Sequence, residues 1–116
     1  VHRPRRRRRC DQRGAARRSV RAFAQAADDL AAAAALKQEL LAARGQTRDA
    51  ELATVELRRA EVDAQLGRTD MALAAAERAL RSATDPEWMA IRLRISRALE
   101  PLHADPRWNA LLAEAP

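Results

Sequence analysis

The chain has 116 residues, which allows one small domain and no second compact body of similar size. Alanine occupies 29 positions, and two Trp, one Phe and no Tyr leave few of the large side chains that strands favour. The composition therefore predicts an all-α fold. A single cysteine excludes an intramolecular disulfide, and the apolar runs are far shorter than the roughly 20 residues of a membrane span. We expect a cytoplasmic protein.

The net charge of +6 is unevenly distributed. Residues 1–21 contain ten Arg and one Asp, whereas the remaining residues have a net charge of −3. Residues 1–20 show no apolar periodicity, so they are predicted to form a disordered Arg-rich tail. A helical domain is predicted over residues 21–116. The run Arg5–Arg9 suggests an alternative function, nucleic-acid binding through phosphates, although no aromatic residue interleaves it. A start placed upstream of the true one in GC-rich DNA would also produce such a segment.

The first predicted helix covers residues 22–44, where apolar residues recur at three-, four- and seven-residue steps. Gly45 predicts its end, since glycine is favoured just after a helix. Thr47 is the expected N-cap of a second helix, which runs to another closing glycine, Gly67. The apolar residues expected along one face of this second helix are Leu52, Val55, Val62 and Leu66.

A third helix is predicted next, capped by Thr69 or Asp70 and ending between Ser82 and Thr84. Several alanines lie beside its apolar stripe, and their short side chains would let another helix approach closely. The stripe consists of Leu73, Ala76 and Leu80.

Two further helix starts are predicted where Asp is followed by Pro, at Asp85-Pro86 and at Asp105-Pro106. Asp is a good N-cap, and proline is well tolerated as the first helical residue because its missing N–H is not needed there. Pro101 is expected to stop the earlier of these helices. We expect both tryptophans, Trp88 and Trp108, to be buried. The predicted buried face of the earlier helix comprises Trp88, Ile91, Ile95 and Leu99.

The sequence shows no catalytic constellation. His103 lies in a short connection beside Asp105, which is better explained as a helix cap, while His2 and Cys10 lie in the tail. There is no Gly-rich phosphate loop and no spacing typical of metal ligands. We therefore expect no enzymatic activity and no cofactor.

Small residues recur at characteristic spacings in the segment that ends at Pro86. Ala60 is followed by Gly67 and then by Ala72 and Ala79. Two antiparallel helices in close contact need small side chains where they cross and a glycine in the tight turn. The pattern resembles a tetratricopeptide repeat. This resemblance implies antiparallel helical hairpins in an array that acts as a protein–protein interaction scaffold.

The end of the sequence carries a second pattern, Pro-Leu-His-Ala-Asp-Pro-Arg-Trp-Asn-Ala-Leu-Leu over residues 101–112. It is similar to the segment that closes repeat arrays in bacterial serine/threonine kinases, adenylate cyclases and winged-helix regulators. The resemblance implies a C-terminal capping helix and a C-terminal fragment of a larger bacterial signalling protein. The alternative is that the alanine-rich hairpin belongs to an ordinary helical bundle.

The repeat is degenerate, because Glu56, Arg59 and Asp63 stand where the family has large apolar or aromatic residues. Because of these charges, the sequence is compatible with two orientations of the second helix about its own axis. In the family register, this helix lines a concave groove. In the alternative, the three charged residues face solvent, and the core side is formed by Leu52, Val55, Val62 and Leu66.

The family register implies a binding face for another protein or a peptide. A single repeat offers less than the roughly 1,000 Å² of a stable interface. We therefore expect weak binding, or pairing with a second copy through the open N-terminal end of the array. The residues that the resemblance places on the binding face are Leu57, Glu61, Ala64 and Gln65.

Overall fold

The computed structural model describes the backbone of residues 3–113 and the side chains of residues 14–113. Over this range the chain is helical and contains no strand, so the all-α prediction is confirmed. Within the same range, five α-helices and one 3-10 helix follow each other with short connections. They are α1 (Arg3–Ala43), α2 (Ala50–Gln65), α3 (Thr69–Ser82), α4 (Pro86–Ile95), the 3-10 helix (Arg97–Ala104) and α5 (Pro106–Ala113).

Helix α1 is much longer than predicted and runs through the segment expected to be a disordered tail. It has 41 residues and begins at Arg3. A helix of this length spans about 60 Å, close to the 65 Å of the molecule's longest dimension. Alanine and arginine are strong helix formers, and this local preference outweighs the missing apolar periodicity. The side chains from Ala15 to Phe23 are nevertheless exposed.

Glycine ends both α1 and α2, as predicted. Gly45 has a φ of 68° and Gly67 a φ of 75°, values at which a side chain would strain the backbone. After α1, the N–H of Gln46 donates to the carbonyl of Leu41 at 2.9 Å, and after α2, the N–H of Arg68 donates to the carbonyl of Asp63 at 2.8 Å. Both ends are Schellman motifs, which satisfy carbonyls that the helix leaves free.

The N-cap of α2 is Asp49, so the prediction of Thr47 is wrong. The carboxylate of Asp49 accepts the N–H of Leu52 at 2.9 Å. The backbone N–H of Asp49 donates to the carbonyl of Ser82 at 2.8 Å, at the end of α3. This second hydrogen bond joins the start of α2 to the end of α3.

The prediction that Thr69 or Asp70 caps α3 is also wrong. Both residues lie inside the helix, and the N-cap is Arg68, whose side chain makes no capping hydrogen bond. The turn at Gly67 is so tight that α3 starts two residues after it. The predicted end of α3 is confirmed, because the helix stops at Ser82.

The two Asp-Pro sequences start helices as predicted. Asp85 accepts the N–H of Trp88 at 3.1 Å, and Asp105 accepts the N–H of Arg107 at 2.9 Å. Pro101, by contrast, does not stop α4, which already ends at Ile95. Pro101 lies within the 3-10 helix instead.

Helix α4 buries the face opposite to the predicted one. Trp88, Ile91 and Ile95 are 50%, 52% and 72% exposed, so their predicted burial is wrong. Helix α4 is apolar around most of its circumference, and its periodicity alone could not select the inner face. The side chains that it buries are Met89, Ala90 and Leu93.

The main core lies between α2, α3, α4, the 3-10 helix and α5. Ala60, Ala72 and Ala79 are fully buried where α2 packs against α3. Trp108 is 3% exposed, which confirms its predicted burial, and its ring stacks on His103 with 4.9 Å between centroids. A second, smaller cluster joins α1 to α2 and contains Ala34, Leu41, Leu52 and the half-buried Val55.

Deleting residues 1–20 should leave the melting temperature of the helical domain unchanged. The first buried side chain in the described part of α1 is Ala27, so residues 14–20 contribute helix but no buried side chain. Thermal unfolding followed by circular dichroism would test this. A fall of several degrees would show that the N-terminal part of α1 packs against the rest of the chain.

The two tryptophans should differ sharply in their contribution to stability. Trp108→Ala should reduce the free energy of unfolding by about 3–5 kcal/mol, because it empties a buried site. Trp88→Ala should cost less than about 1 kcal/mol, since it removes an exposed ring and one cation–π contact. Urea unfolding of both variants measures the difference, and equal losses would contradict the burial pattern.

Candidate functional site

The predicted binding face on α2 is largely closed. Leu57 is 2% exposed and belongs to the main core together with Leu99 and Leu102 of the 3-10 helix. Leu57 therefore cannot contact a ligand, and its predicted place in an open groove is wrong. Ala64 is partly buried against the same core, and Gln65 is the exposed member of the predicted set.

The chain itself covers this face of α2. The 3-10 helix packs against α2, and the connection before it brings Ser96 over Glu61. The hydroxyl of Ser96 donates to Oε2 of Glu61 at 2.8 Å. The C-terminal region of the chain thus covers the face of α2 that was predicted to be an open groove.

Two charged side chains of α2 point into the protein. Glu56 is fully buried and Asp63 is 3% exposed, whereas Val62 and Leu66 are only half-buried. The alternative rotation, which placed Glu56 and Asp63 in solvent, is therefore wrong. Part of this result could be read from the sequence, because the resemblance to tetratricopeptide repeats aligns these residues with large apolar positions.

Arginines on two helices balance the buried carboxylate of Glu56. Nε of Arg78, on α3, lies 2.6 Å from Oε2, and Nη1 of Arg59, on α2, lies 3.0 Å from Oε1. A buried charge is tolerated only when it is paired and hydrogen-bonded. The ion pair with Arg78 consequently ties α2 to α3.

Asp63 is less well balanced than Glu56. Its Oδ1 has no hydrogen-bond partner among the described residues, and the nearest cation, Nη1 of Arg68, is 3.7 Å away. Burial raises the pKa of Asp63 above its ordinary value, against the attraction of Arg68, Arg59 and Arg78. The site therefore carries an incompletely compensated charge in the folded protein.

An apolar stripe on the outer face of α4 is the best candidate for a binding surface. It consists of Trp88, Ile91 and Ile95, which follow one another at three- and four-residue steps along the helix. The guanidinium of Arg92 lies 4.9 Å from the centroid of the Trp88 ring and borders the stripe. Large apolar side chains grouped on a surface are typical of interaction sites. We call these three residues the α4 stripe.

The structure adds little to the nucleic-acid hypothesis. The side chains of Arg5–Arg9 and of Cys10 lie outside the described residues, while Arg17, Arg18 and Arg21 are exposed on α1. No group of three or more potential metal-binding side chains occurs in the part of the chain that the structure describes. None of the described helices combines the length and apolar character required to cross a bilayer.

Comparison with known proteins identifies no relative. No protein-family model matches the chain, and searches of curated proteins and of solved structures found no significant match.

The stability of the protein should respond oppositely to Asp63 and Asp105 as the pH changes. Burial raises the pKa of Asp63, so the folded state holds its proton more tightly and wild type gains stability as pH falls through that pKa. Hydrogen bonds from Arg107 lower the pKa of Asp105, so the stability from this group is lost as pH falls.

Urea unfolding between about pH 7 and about pH 3 would separate the two effects. Relative to Asp63→Asn, wild type should become more stable as the pH decreases. Relative to Asp105→Asn, which preserves a good helix cap, it should become less stable. The same sign for both comparisons would contradict the geometry around Asp63.

Proposed function

We propose that this protein is a protein–protein interaction scaffold and that the α4 stripe is its binding surface. The observation that carries the proposal is the exposure of three large apolar side chains on one face of a well-anchored helix. Trp88, Ile91 and Ile95 are each at least half exposed, although their neighbours Met89 and Leu93 are buried. A partner that covered this apolar surface would form a more stable complex, because burying apolar surface away from water is favourable.

Trp88 is suited to be the energetic centre of such a contact. Tryptophan and arginine are enriched among the residues that dominate binding energy at interfaces, and Arg92 lies beside the ring of Trp88. The other face of α4 packs against α3, so the stripe is presented by a supported helix. A preorganised surface loses less entropy on binding than a flexible one.

The resemblance to tetratricopeptide repeats supports the same class of function. Ala60, Ala72 and Ala79 are fully buried, and Gly67 adopts a positive φ in the turn between α2 and α3, as such a repeat requires. In this proposal the protein belongs with the interaction regions of bacterial signalling proteins and corresponds to the C-terminal end of a repeat array. Its partner surface, however, is α4 rather than the covered face of α2.

Site-specific photo-cross-linking in the cells that produce the protein would test this function. A benzophenone amino acid at position 91 should give a discrete cross-linked product that mass spectrometry identifies as a protein. The same group at position 65 should give none, because Gln65 is also exposed but lies on α2, outside the α4 stripe.

A second substitution shows whether the product depends on the α4 stripe. The product at position 91 should disappear when Ile95→Ser is added, because the stripe then loses half of its remaining apolar residues. It should persist with Met71→Ser, a matched control that alters an exposed apolar residue outside the stripe.

Two outcomes would count against the proposal. Absence of any product at position 91 would contradict the proposed function, and a product at position 65 alone would move the binding surface to α2. Circular dichroism of each variant would confirm that the helices are retained.

A further inference from the structure

Helix α1 extends far beyond the helix on which it packs. Its 41 residues span about 60 Å, whereas the 16 residues of α2 span about 24 Å. Near the end of α2, Val62 lines a shallow cavity together with Ala26 and Leu30 of α1. The part of α1 that lies more than one turn before Ala26 therefore reaches past the end of α2.

The face of α1 that packs on α2 follows a heptad pattern. Ala34 and Leu41 form a cluster with Leu52 of α2, and Nζ of Lys37 lies 3.1 Å from Oε2 of Glu51. Alternating steps of three and four residues are the a/d spacing of helices that pack side by side. The residues that follow this spacing on the covered part of α1 are Ala27, Leu30, Ala34, Lys37 and Leu41.

The same spacing continues where α2 no longer covers α1. Steps of four, three and four residues lead from Ala27 back to Phe23, Val20 and Ala16. Ala27 is buried, but Phe23 is 39% and Val20 57% exposed, and Ala16 is exposed as well. We call Ala16, Val20 and Phe23 the open seam. It continues an existing helix–helix interface beyond the end of the second helix.

The part of α1 that carries the open seam is basic. Residues 14–27 include Arg17, Arg18 and Arg21 and no acidic residue. All three arginines are exposed, and Arg17 and Arg21 line a shallow depression beside Val20. A helix that docks on the open seam therefore meets positive charge along one side.

Neighbouring charges do not reverse this balance. On α1, acidic residues follow only from Asp28 onward, beside the part that α2 covers. Near the end of α2, Arg58 and Glu61 carry one charge of each sign and line the cavity between the two helices. Just after α2, Arg68 lies near the buried Asp63. The positive character of α1 therefore begins where its contact with α2 ends.

We propose that the open seam binds an amphipathic helix of another protein, with acidic residues along the edges of that helix. This inference goes beyond the proposed function, because it assigns a second surface that is separate from the α4 stripe. Continuity with the interface between α1 and α2 indicates a helix as the occupant, since residues at heptad spacing pack against another helix. The arginines select acidic edges, because opposite charges across an interface favour the correct partner and accelerate association.

Other occupants would satisfy only part of this surface. Two copies of the open seam packed together would place Arg17 and Arg21 near the arginines of the other copy, and like charges across an interface are unfavourable. A phosphate backbone would pair with the arginines but leave Val20 and Phe23 in water. A lipid surface requires a broader apolar face than the narrow stripe of a helix–helix seam.

A pair of synthetic peptides added to the full chain tests the proposal. Both peptides contain about three heptads with Leu at the a and d positions, and the flanking e and g positions are Glu in one peptide and Lys in the other. Fluorescence anisotropy of the labelled peptides gives the two Kd values. Wild type should bind the Glu peptide at least about tenfold more tightly than the Lys peptide. The preference should shrink as salt screens the charges.

Two double variants on α1 show whether binding depends on the open seam. Val20→Ser with Phe23→Ser should weaken binding of the Glu peptide at least about tenfold, because it removes the large apolar side chains of the seam. Leu36→Ser with Leu40→Ser is the matched control and should leave binding unchanged. Leu36 and Leu40 are exposed leucines on the same helix, but they lie outside the heptad series.

Charge reversal gives an independent test. Arg17→Glu with Arg21→Glu should make the Lys peptide the tighter ligand. Ile95→Ser, in the α4 stripe, should not change the binding of either peptide, because the two surfaces are separate. Circular dichroism would verify that each variant remains helical.

Several results would overturn the proposal. These are failure of wild type to bind the Glu peptide, equal binding of both peptides, or binding that survives Val20→Ser with Phe23→Ser. Tighter binding of duplex DNA or of phosphatidylserine vesicles than of the Glu peptide would assign the segment to a nucleic acid or a membrane instead. A wild-type dimer in sedimentation velocity that Val20→Ser with Phe23→Ser dissociates would assign the open seam to a second copy.

Discussion

The carboxylate of Glu56 is completely buried where α2 meets α3, and the arrangement of the remaining helices depends on how this charge is balanced. Burying an ion costs several kcal/mol unless partners compensate it. Here Arg78 approaches from α3 at 2.6 Å and Arg59 from α2 at 3.0 Å. The bond to Arg78 can form only if α2 turns Glu56 toward α3, so the ion pair defines the rotation of α2. The small side chains at the crossing, the fully buried Ala60, Ala72 and Ala79, let the two helices lie close enough for it.

The rotation of α2 decides which surfaces remain for partners. With Glu56 directed inward, Leu57 lies in the core beside Leu99 and Leu102. The carboxylate of Glu61 accepts a hydrogen bond from the hydroxyl of Ser96. The 3-10 helix thereby closes the face of α2 that the sequence resemblance predicted as a binding surface. Helix α4 buries Met89 and Leu93 and leaves its other apolar face exposed. The proposed interaction surface is therefore a consequence of the way in which the core is filled.

Much of the fold could be predicted from local patterns, because glycine ends and Asp-Pro starts depend on a few neighbouring residues. Gly45, Gly67, Asp85 and Asp105 act as their sequences indicate. What failed required long-range information. Thr47 and Asp49 are both suitable N-caps by residue type, and Asp49, which caps α2, also donates its N–H to Ser82 at the end of α3. The inner face of α4 is the face that packs against α3. On α2, sequence spacing could not reveal that the chain's own 3-10 helix covers the predicted binding face.

The most direct test of the role of Glu56 is the stability of Glu56→Gln relative to that of Glu77→Gln. Both variants neutralise a glutamate paired with an arginine, but the pair of Glu77 with Arg81 is exposed, whereas Glu56 is buried. We predict a loss of about 1.5–3 kcal/mol for Glu56→Gln, the usual worth of a hydrogen bond to a charged group, and less than about 1 kcal/mol for Glu77→Gln. The ion pair with Arg78 predicts in addition that Arg78→Met costs little more once Glu56 is already Gln. Equal stabilities of the two glutamine variants in urea unfolding would contradict the central role of Glu56.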